Sequence, residues 1–437
     1  MIRHIFKIIW NEKKINILLV VEYILIFCIL WFVGEYMYTF TVQRMEPNPR
    51  NIDHTYRIFM ERFDPIEGSP TKYTKDDYHT FASTVDQRLR RYPGIESVGF
   101  SHHVAPYMID QNTFPYLDLS DSLNHFLMVD NPRVNEGFFE VFKIPVHGNI
   151  GDWTGTPTDS RVVIVSPDAE GLLGRKPVAD IRAVQRQSNQ RVYNVVGYTP
   201  RLKMTESKGY QAFLMQPMPF RDVTLNNCEI SIRVRPSADR NFVEKFMREM
   251  SDQLQIGEYY LANVVSYKDI RKNFNKMHGI TETINARLAV IIFLLLNIFL
   301  GILGSFWFRT QSRRSEIGLR IAMGSSKGKV RRWMIGEAML LLAIASVVAT
   351  VGCYYLQQTE LPQLIGAETR IRMIYGYVEN PDGNGYTITK KAMGLVKQDY
   401  INFAISFLLL ALITFIAVWY PAKKASDTQP AETLHED

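Results

Sequence analysis

Three stretches of this 437-residue chain are apolar over lengths that a soluble fold rarely needs: Leu288–Phe308, Trp333–Leu356 and Ile401–Tyr420. A helix crosses the hydrocarbon layer with roughly 20 such residues, and that layer admits only elements that satisfy their own backbone hydrogen bonds. A fourth stretch, Ile15–Phe32, carries Glu22 and continues towards Phe40. It is long for a secretory leader, and WFVGEYMYTF after it offers no small-residue cleavage site, so it reads as an uncleaved anchor over 15–40. The expectation is an α-helical membrane protein with four transmembrane helices, at 15–40, 288–308, 333–356 and 401–420.

Charge sets the orientation. Residues 1–14 hold Arg3, Lys7, Lys13 and Lys14 against Glu12, and 309–332 hold eight basic residues against Glu316. The 357–400 segment balances five basic residues with five acidic ones, and Lys423 and Lys424 follow the last span. Basic loops stay in the cytoplasm, which places both termini and 309–332 inside, and 41–285 and 357–400 outside. The opening MIRHIFKIIWNEKK sets Ile2, Ile5, Phe6 and Ile9 near one helical face, as in an interfacial helix over 1–14. The net charge of +6 says little by itself, and nothing points to nucleic acid.

The long outer segment reads as one large α/β (α+β) domain over 41–266, between the first two spans. Asp77–Arg91 is helical in pattern, Pro93-Gly94 stops it, and IESVGF, RVVIVS, RVYNVVGY and ISIRVR are strand-like. Alternating strands and helices suggest two or more βαβ-like modules. Cys228 is alone in this region, so no disulfide staples it. Its last part, 267–287, spaces Ile270, Phe274, Met277, Thr281 and Ile284 by threes and fours up to Leu288, with Gly279 as the weak point. This predicts an amphipathic stalk running unbroken into the second span, a rod able to carry movement. The competing reading is an ordinary domain helix followed by a loop.

Candidate chemistry is sparse. GSSKGKV is one residue short of a P-loop and ends in Val. Gly324-Ser325-Ser326-Lys327-Gly328 fits G-x-S-x-G but lacks the preceding strand that a nucleophile elbow needs. His102 and His103 are neighbours whose side chains would diverge on a strand, without a ligand partner nearby. No catalytic, metal-binding or cofactor-binding set emerges, and the chain is not expected to be an enzyme. Glu337 lies about one turn beyond Trp333 and is read as a structural anchor within reach of Arg331-Arg332, while Glu22 is left open. Gly301/Ser305 and Ala345/Ala349 supply small residues four apart, suited to close helix contact.

Between the second and third spans, 309–332 reads as a helical hairpin. Arg309–Met323 is helical, Gly324 is a left-handed stop, and Ser325 or Ser326 caps the next helix. Ile317, Ile321 and Met323 stand among arginines, as a docking surface for a cytoplasmic partner would require. A loop that only fixes topology would need neither the glycine nor the apolar residues.

RRSEIGLRIAMGSSKGKVRRWMIGEAMLL, from Arg313 to Leu341, resembles the cytoplasmic loop and third helix of MacB/FtsX-type ABC transporter permeases. The pattern falls on Arg313, Glu316, Ile317, Gly318, Ala322, Gly324, Ser325 and Ser326, then Glu337-Ala338. The closing motif falls on Pro421, Ala422, Lys423, Lys424, Ala425, Pro430 and Leu434. VNEGFFEVFKIPVHGNI, VVIVSPDAEGLLGRKPV and YNVVGYTP are similar to segments of the MacB-type periplasmic core domain. The 357–400 loop is longer than in MacB relatives, and no ATPase sequence is fused before the first span, so the ATPase is expected on a separate chain.

The resemblance implies a permease of the bacterial inner membrane, dimeric with a second copy or a paralogue and bound to cytoplasmic ABC ATPase subunits that carry the ATP and magnesium. It implies mechanotransmission, in which nucleotide-driven closure moves the outer domain to export a substrate, with a periplasmic adaptor and outer-membrane channel as further partners. The other implied role is an FtsX-like regulator that activates a cell-wall hydrolase. Residues expected to touch the ATPase are Arg313, Arg314, Glu316, Ile317, Gly318, Arg320, Ile321, Ala322, Met323, Gly324, Ser325, Ser326 and Lys327. The stalk, Glu337, Pro421 and the surrounding membrane lipid complete the expectation.

Overall fold

The computed structural model describes residues 13–63, 73–108, 113–118, 126–153, 155–157, 159–167, 183–186, 189–206, 209–357, 373–379, 386–392 and 397–427. All but the last two residues of the expected interfacial helix lie outside these, as do Pro430 and Leu434 of the closing motif. The chain divides into a membrane unit (1–41, 281–374, 392–437) and an outer unit (42–280, 375–391). Helix α1, Lys13–Met45, is continuous through the first division.

The outer unit begins with β1 (Thr55–Arg62), α2 (Lys75–Arg91) and β2 (Ile95–His102). Then come β3 (Thr113–Asp118), β4 (Phe126–Asp130), β5 (Arg133–Val134), α3 (Glu136–Phe142) and β6 (His147–Gly148). They are followed by β7 (Val162–Ser166), β8 (Ala183–Arg186), β9 (Val192–Tyr198) and β10 (Phe213–Pro217). The unit closes with β11 (Glu229–Val234), α4 (Phe242–Met250), β12 (Tyr259–Ser266) and α5 (Tyr267–Met277).

Strands β12-β1-β11-β2 form an antiparallel base with Ile58 opposite Ile230 and Ile232 opposite Val98. This is a split β-α-β arrangement: α2 joins β1 to β2 across β11, and α4 joins β11 to β12 across β1. Both helices bury one face on the sheet, through Ala82, Val85 and Leu89 of α2 and Phe242, Phe246 and Met250 of α4. Thr74 and Asp77 close a capping box at the start of α2. Strands β3 to β10 are inserted between β2 and β11 and continue the sheet through β5 and β10. The expected βαβ modules therefore hold for the base, whereas the inserted lobe is mostly strand with α3 as its one longer described helix. Cys228 is buried, and burial beside Glu229 pushes its thiol up to about 12, which leaves it inert.

Two features tie the ends of the outer unit. Lys203 is fully buried and donates from Nζ to the main-chain oxygens of Gln43 and Glu46, pairing with the Glu46 carboxylate at 3.0 Å. A cation thus caps the last turn of α1, where carbonyls lack helical partners. At the other end, Ser266 caps α5, and Tyr267 is buried with its hydroxyl 2.7 Å from that of Ser231.

The expected unbroken stalk is absent. Helix α5 packs Ile270 and Phe274 onto the outer core and ends at Met277, which is exposed. Gly279, at φ +54°, then turns the chain through the left-handed region, and a separate helix α6 (Ile280–Ser312) begins, carrying Thr281 and Ile284. The periodicity is real but is used twice, first against the outer core and then along the membrane helix. The backbone freedom of glycine makes the interruption cheap.

The membrane unit packs α1 and α6 with α8 (Lys327–Gln357) and α9 (Lys397–Asp427), with the short α7 (Arg314–Ala322) before α8. β13 (Met373–Glu379) and β14 (Tyr386–Ala392) pair with each other within the 357–400 segment. The helical core joins Tyr23, Phe27 and Trp31 of α1 to Ile302, Leu341, Ala345, Ala349 and Leu410. The small residues mark contacts: Ala345 and Ala349 are fully buried, and a Cβ on Gly301 would lie 2.8 Å from the Glu22 carboxylate. The Cys28 and Cys353 sulfurs approach to 3.4 Å as free thiols. Among the described residues, three helices are long and apolar enough to cross a membrane: α6, α8 and α9. The apolar part of α1, Leu19–Gly34, is shorter.

Candidate coupling site at the basic hairpin

The hairpin is built from its turn outward. Helix α7 ends at Ala322, and Gly324 adopts φ +90°. The Gly324 N–H then reaches Ile321 O at 2.9 Å and the Ser325 N–H reaches Arg320 O at 3.0 Å. This Schellman pattern satisfies carbonyls that the helix leaves open, and it needs a residue at ease with positive φ. Ser326 precedes α8, and its carbonyl accepts from Val330 N–H at 3.2 Å. The G-x-S-x-G string therefore stands between two helices, not after a strand.

Beneath the turn lies a buried ionic cluster. The Glu337 carboxylate accepts from Arg309 Nη2 at 2.8 Å and from Arg313 Nη1 at 2.9 Å. The three side chains are 4%, 8% and 11% exposed respectively, so water does little to screen them. Arg309 closes α6, Arg313 is the bend before α7, and Glu337 sits on α8, so one carboxylate fastens three elements. The partners of Glu337 are Arg309 and Arg313, not the Arg331-Arg332 pair expected from sequence. Arg331 instead reaches Ser426 at 2.8 Å, and Lys327 reaches Asp427 at 3.2 Å. Trp333 adds a platform: the Arg320 guanidinium lies 3.9 Å from its ring centroid, and Arg320 pairs with Glu316 at 2.6 Å.

The apolar residues divide between two faces. Ile317 and Gly318 are buried, and Ile321 packs with Val330, Trp333, Met334, Ala422 and Ala425. These belong to the protein's own core, which corrects their placement on a docking surface. The outward face carries Leu319 (51% exposed) and Met323 (72% exposed) with Ala322, Gly324, Ser326, Lys327 and Lys329. Arg314 and Ser325 are half-buried. Pro421 lies inside α9, which passes through it. Leu319 was not singled out from sequence; its place four residues before Met323, off the Ile317 side of α7, was the available signal. Arg309 was missed because nothing local links it to a carboxylate 28 residues later. Among the described residues, no three His, Cys, Asp or Glu side chains are placed to hold a metal ion.

Residues 288–430 match the family model described as the FtsX-like permease C-terminal domain. That region, about a third of the chain, contains α7, α8, α9 and α6 from Leu288 onward. No curated protein matches the chain. Two solved structures are similar to parts of it. One is the extracellular domain of the noncanonic ABC-type transporter YknZ from Gram-positive bacteria, 18% identical, with a TM-score of 0.28, covering 48% of this chain and 100% of that one. The other is a domain of a permease protein from Porphyromonas gingivalis, 15% identical, with a TM-score of 0.28, covering 48% of this chain and 90% of that one. At that TM-score neither bears on what this chain does. Over 288–430 the chain is thus similar to the C-terminal domain of FtsX-like permeases.

Proposed function

We propose that the chain is the permease subunit of a MacB-like ABC transporter, coupling ATP hydrolysis on a separate cytoplasmic ATPase to movement of the outer unit and so to export of a substrate. In this reading α1, α6, α8 and α9 cross the bacterial inner membrane, both termini are cytoplasmic, and a second permease copy completes the assembly. The observation that carries it is the hairpin: a two-helix projection, fastened by Glu337 to Arg309 and Arg313, that presents Leu319, Met323, Lys327 and Lys329 outward. A surface that must push on the membrane helices has to be stiff at its base and apolar at its tip.

The element that carries motion outward is α1. It is continuous over 33 residues, and Lys203 grips its last turn, whereas the α5–α6 path is interrupted at Gly279. The family match is equally compatible with an FtsX-like regulator of a cell-wall hydrolase, which would use the same hairpin.

A photo-crosslinking residue at Met323, in the full chain in its native membrane, is expected to capture a polypeptide carrying a P-loop. The same residue at Tyr355, at the far end of α8, is expected to capture none. Absence of a P-loop protein at Met323, or labelling of Arg320→Cys by an impermeant thiol reagent added outside, would defeat the reading. The partners captured by the outer unit separate the two roles, since an adaptor supports export and a hydrolase supports regulation.

A further inference from the structure

At the hairpin end of the membrane unit, α6, α7 and α9 border a shallow cleft that opens to the surroundings. Two cations from different helices border it, Arg314 of α7 and Lys424 of α9, with Gln311 of α6 beside them. Its inner wall is apolar: Ile317 is 2% exposed, and Pro421, which has no N–H to offer, lies next to it. Trp307 forms the side towards the apolar segments. Its ring is stacked on Tyr420 with centroids 6.0 Å apart, and the Lys424 ammonium lies 4.5 Å from it. Tyr420 is 58% exposed. An aromatic pair where an apolar helix gives way to basic residues is the arrangement found at a membrane–water boundary.

A ligand suited to this cleft carries negative charge at one end, to meet Arg314 and Lys424, and an apolar portion at the other, to continue past Trp307 and Tyr420. The geometry points to a bound anionic phospholipid, its phosphate held by Arg314 and Lys424 at the hairpin-side leaflet. Basic clefts between membrane helices on that side take such headgroups, and each cation near the surface contributes about 1 kcal/mol. The inference rests on the membrane reading above but not on the identity of the ATPase or the cargo. Because the cleft is lined by α7 and α9 together, a lipid seated there would tie the hairpin to the last helix, and coupling would depend on lipid composition.

The test uses the full chain purified in mild detergent, with bound lipid read by native mass spectrometry and thermal stability followed as lipid is added. The wild-type chain is expected to retain phosphatidylglycerol and to melt higher with it, and not with phosphatidylcholine or inorganic phosphate. The Arg314→Ala/Lys424→Ala variant should bind about thirtyfold more weakly. Lys327→Ala/Lys329→Ala, which removes the same charge away from the cleft, should bind as wild type. Equal binding by the cleft variant, equal loss in the control variant, or the same stabilisation by inorganic phosphate would each overturn the proposal. Capture of the ATPase at Met323 is an independent readout, so failure here leaves the functional reading standing.

Discussion

Two glycines, Gly324 and Gly279, adopt left-handed backbone at the ends of helices, and their surroundings differ sharply. At Gly324 the turn is closed by two backbone hydrogen bonds and seated above the cluster of Arg309, Arg313 and Glu337. At Gly279 the flanking residues His278 and Met277 are exposed, and the helices on either side belong to different units. Both turns are closed by main-chain hydrogen bonds, Gly279 N–H to Lys276 O at 3.1 Å included, but the Gly324 corner alone of the two is seated on a buried ionic cluster. What fixes a turn is therefore the packing beneath it and not the φ angle of its glycine.

The sharpest way to break this comparison is at the cluster. Glu337→Ala leaves two guanidinium groups buried without their carboxylate, and loss of one partner of a buried pair costs about 3–5 kcal/mol. The expected result is a lower melting temperature with faster proteolysis between Arg313 and Lys329; a variant as stable as wild type would remove the brace from the account. Gly324→Ala should cost about 1–2 kcal/mol, since an L side chain resists the left-handed region and the corner has no alternative path. Gly279→Ala is expected to behave differently. The chain there can straighten into one helix, recovering roughly 0.5–1 kcal/mol of helical preference over glycine. Amide exchange at 278–280 should slow in that variant, while exchange at 323–325 should quicken in Gly324→Ala. Equal responses would show the two sites to be alike. The mildest test is chemical: copper-phenanthroline oxidation should join Cys28 to Cys353 within one chain, read by gel mobility and lost in Cys28→Ser. Failure to form that bond would contradict the packing of α1 against α8.

Three of the four expected membrane helices, the basic hairpin and its glycine corner were legible in the sequence, because apolar length, charge asymmetry and a Gly-Ser-Ser break are local signals. The base of the outer unit was partly legible, since α2 and its flanking strands carry their period and stop. The inserted lobe was not, because sheet order depends on pairings such as Gln216 opposite Arg133, which no local pattern announces. The stalk misled for a physical reason. Ile270, Phe274 and Ile284 keep one period, but the first two serve the outer core and the third the membrane helix, and only Gly279 between them hinted at the division. The hairpin's apolar residues misled likewise, since periodicity identifies a buried face without saying whether the protein or a partner buries it.

One consequence lies in the sheet of the outer unit. Among the described residues, the sheet passes from base to inserted lobe through β5, two residues long, which meets β2 at Ser101 and His102 and β10 at Gln216 and Pro217. That narrow waist is buttressed by α3, where a Cβ on Gly137 would lie 1.8 Å from Val98 O and where Arg233 of β11 donates to Val141 O at 2.6 Å. A push arriving through Lys203 would enter the lobe, and the seam so buttressed would pass it on to the base without folding.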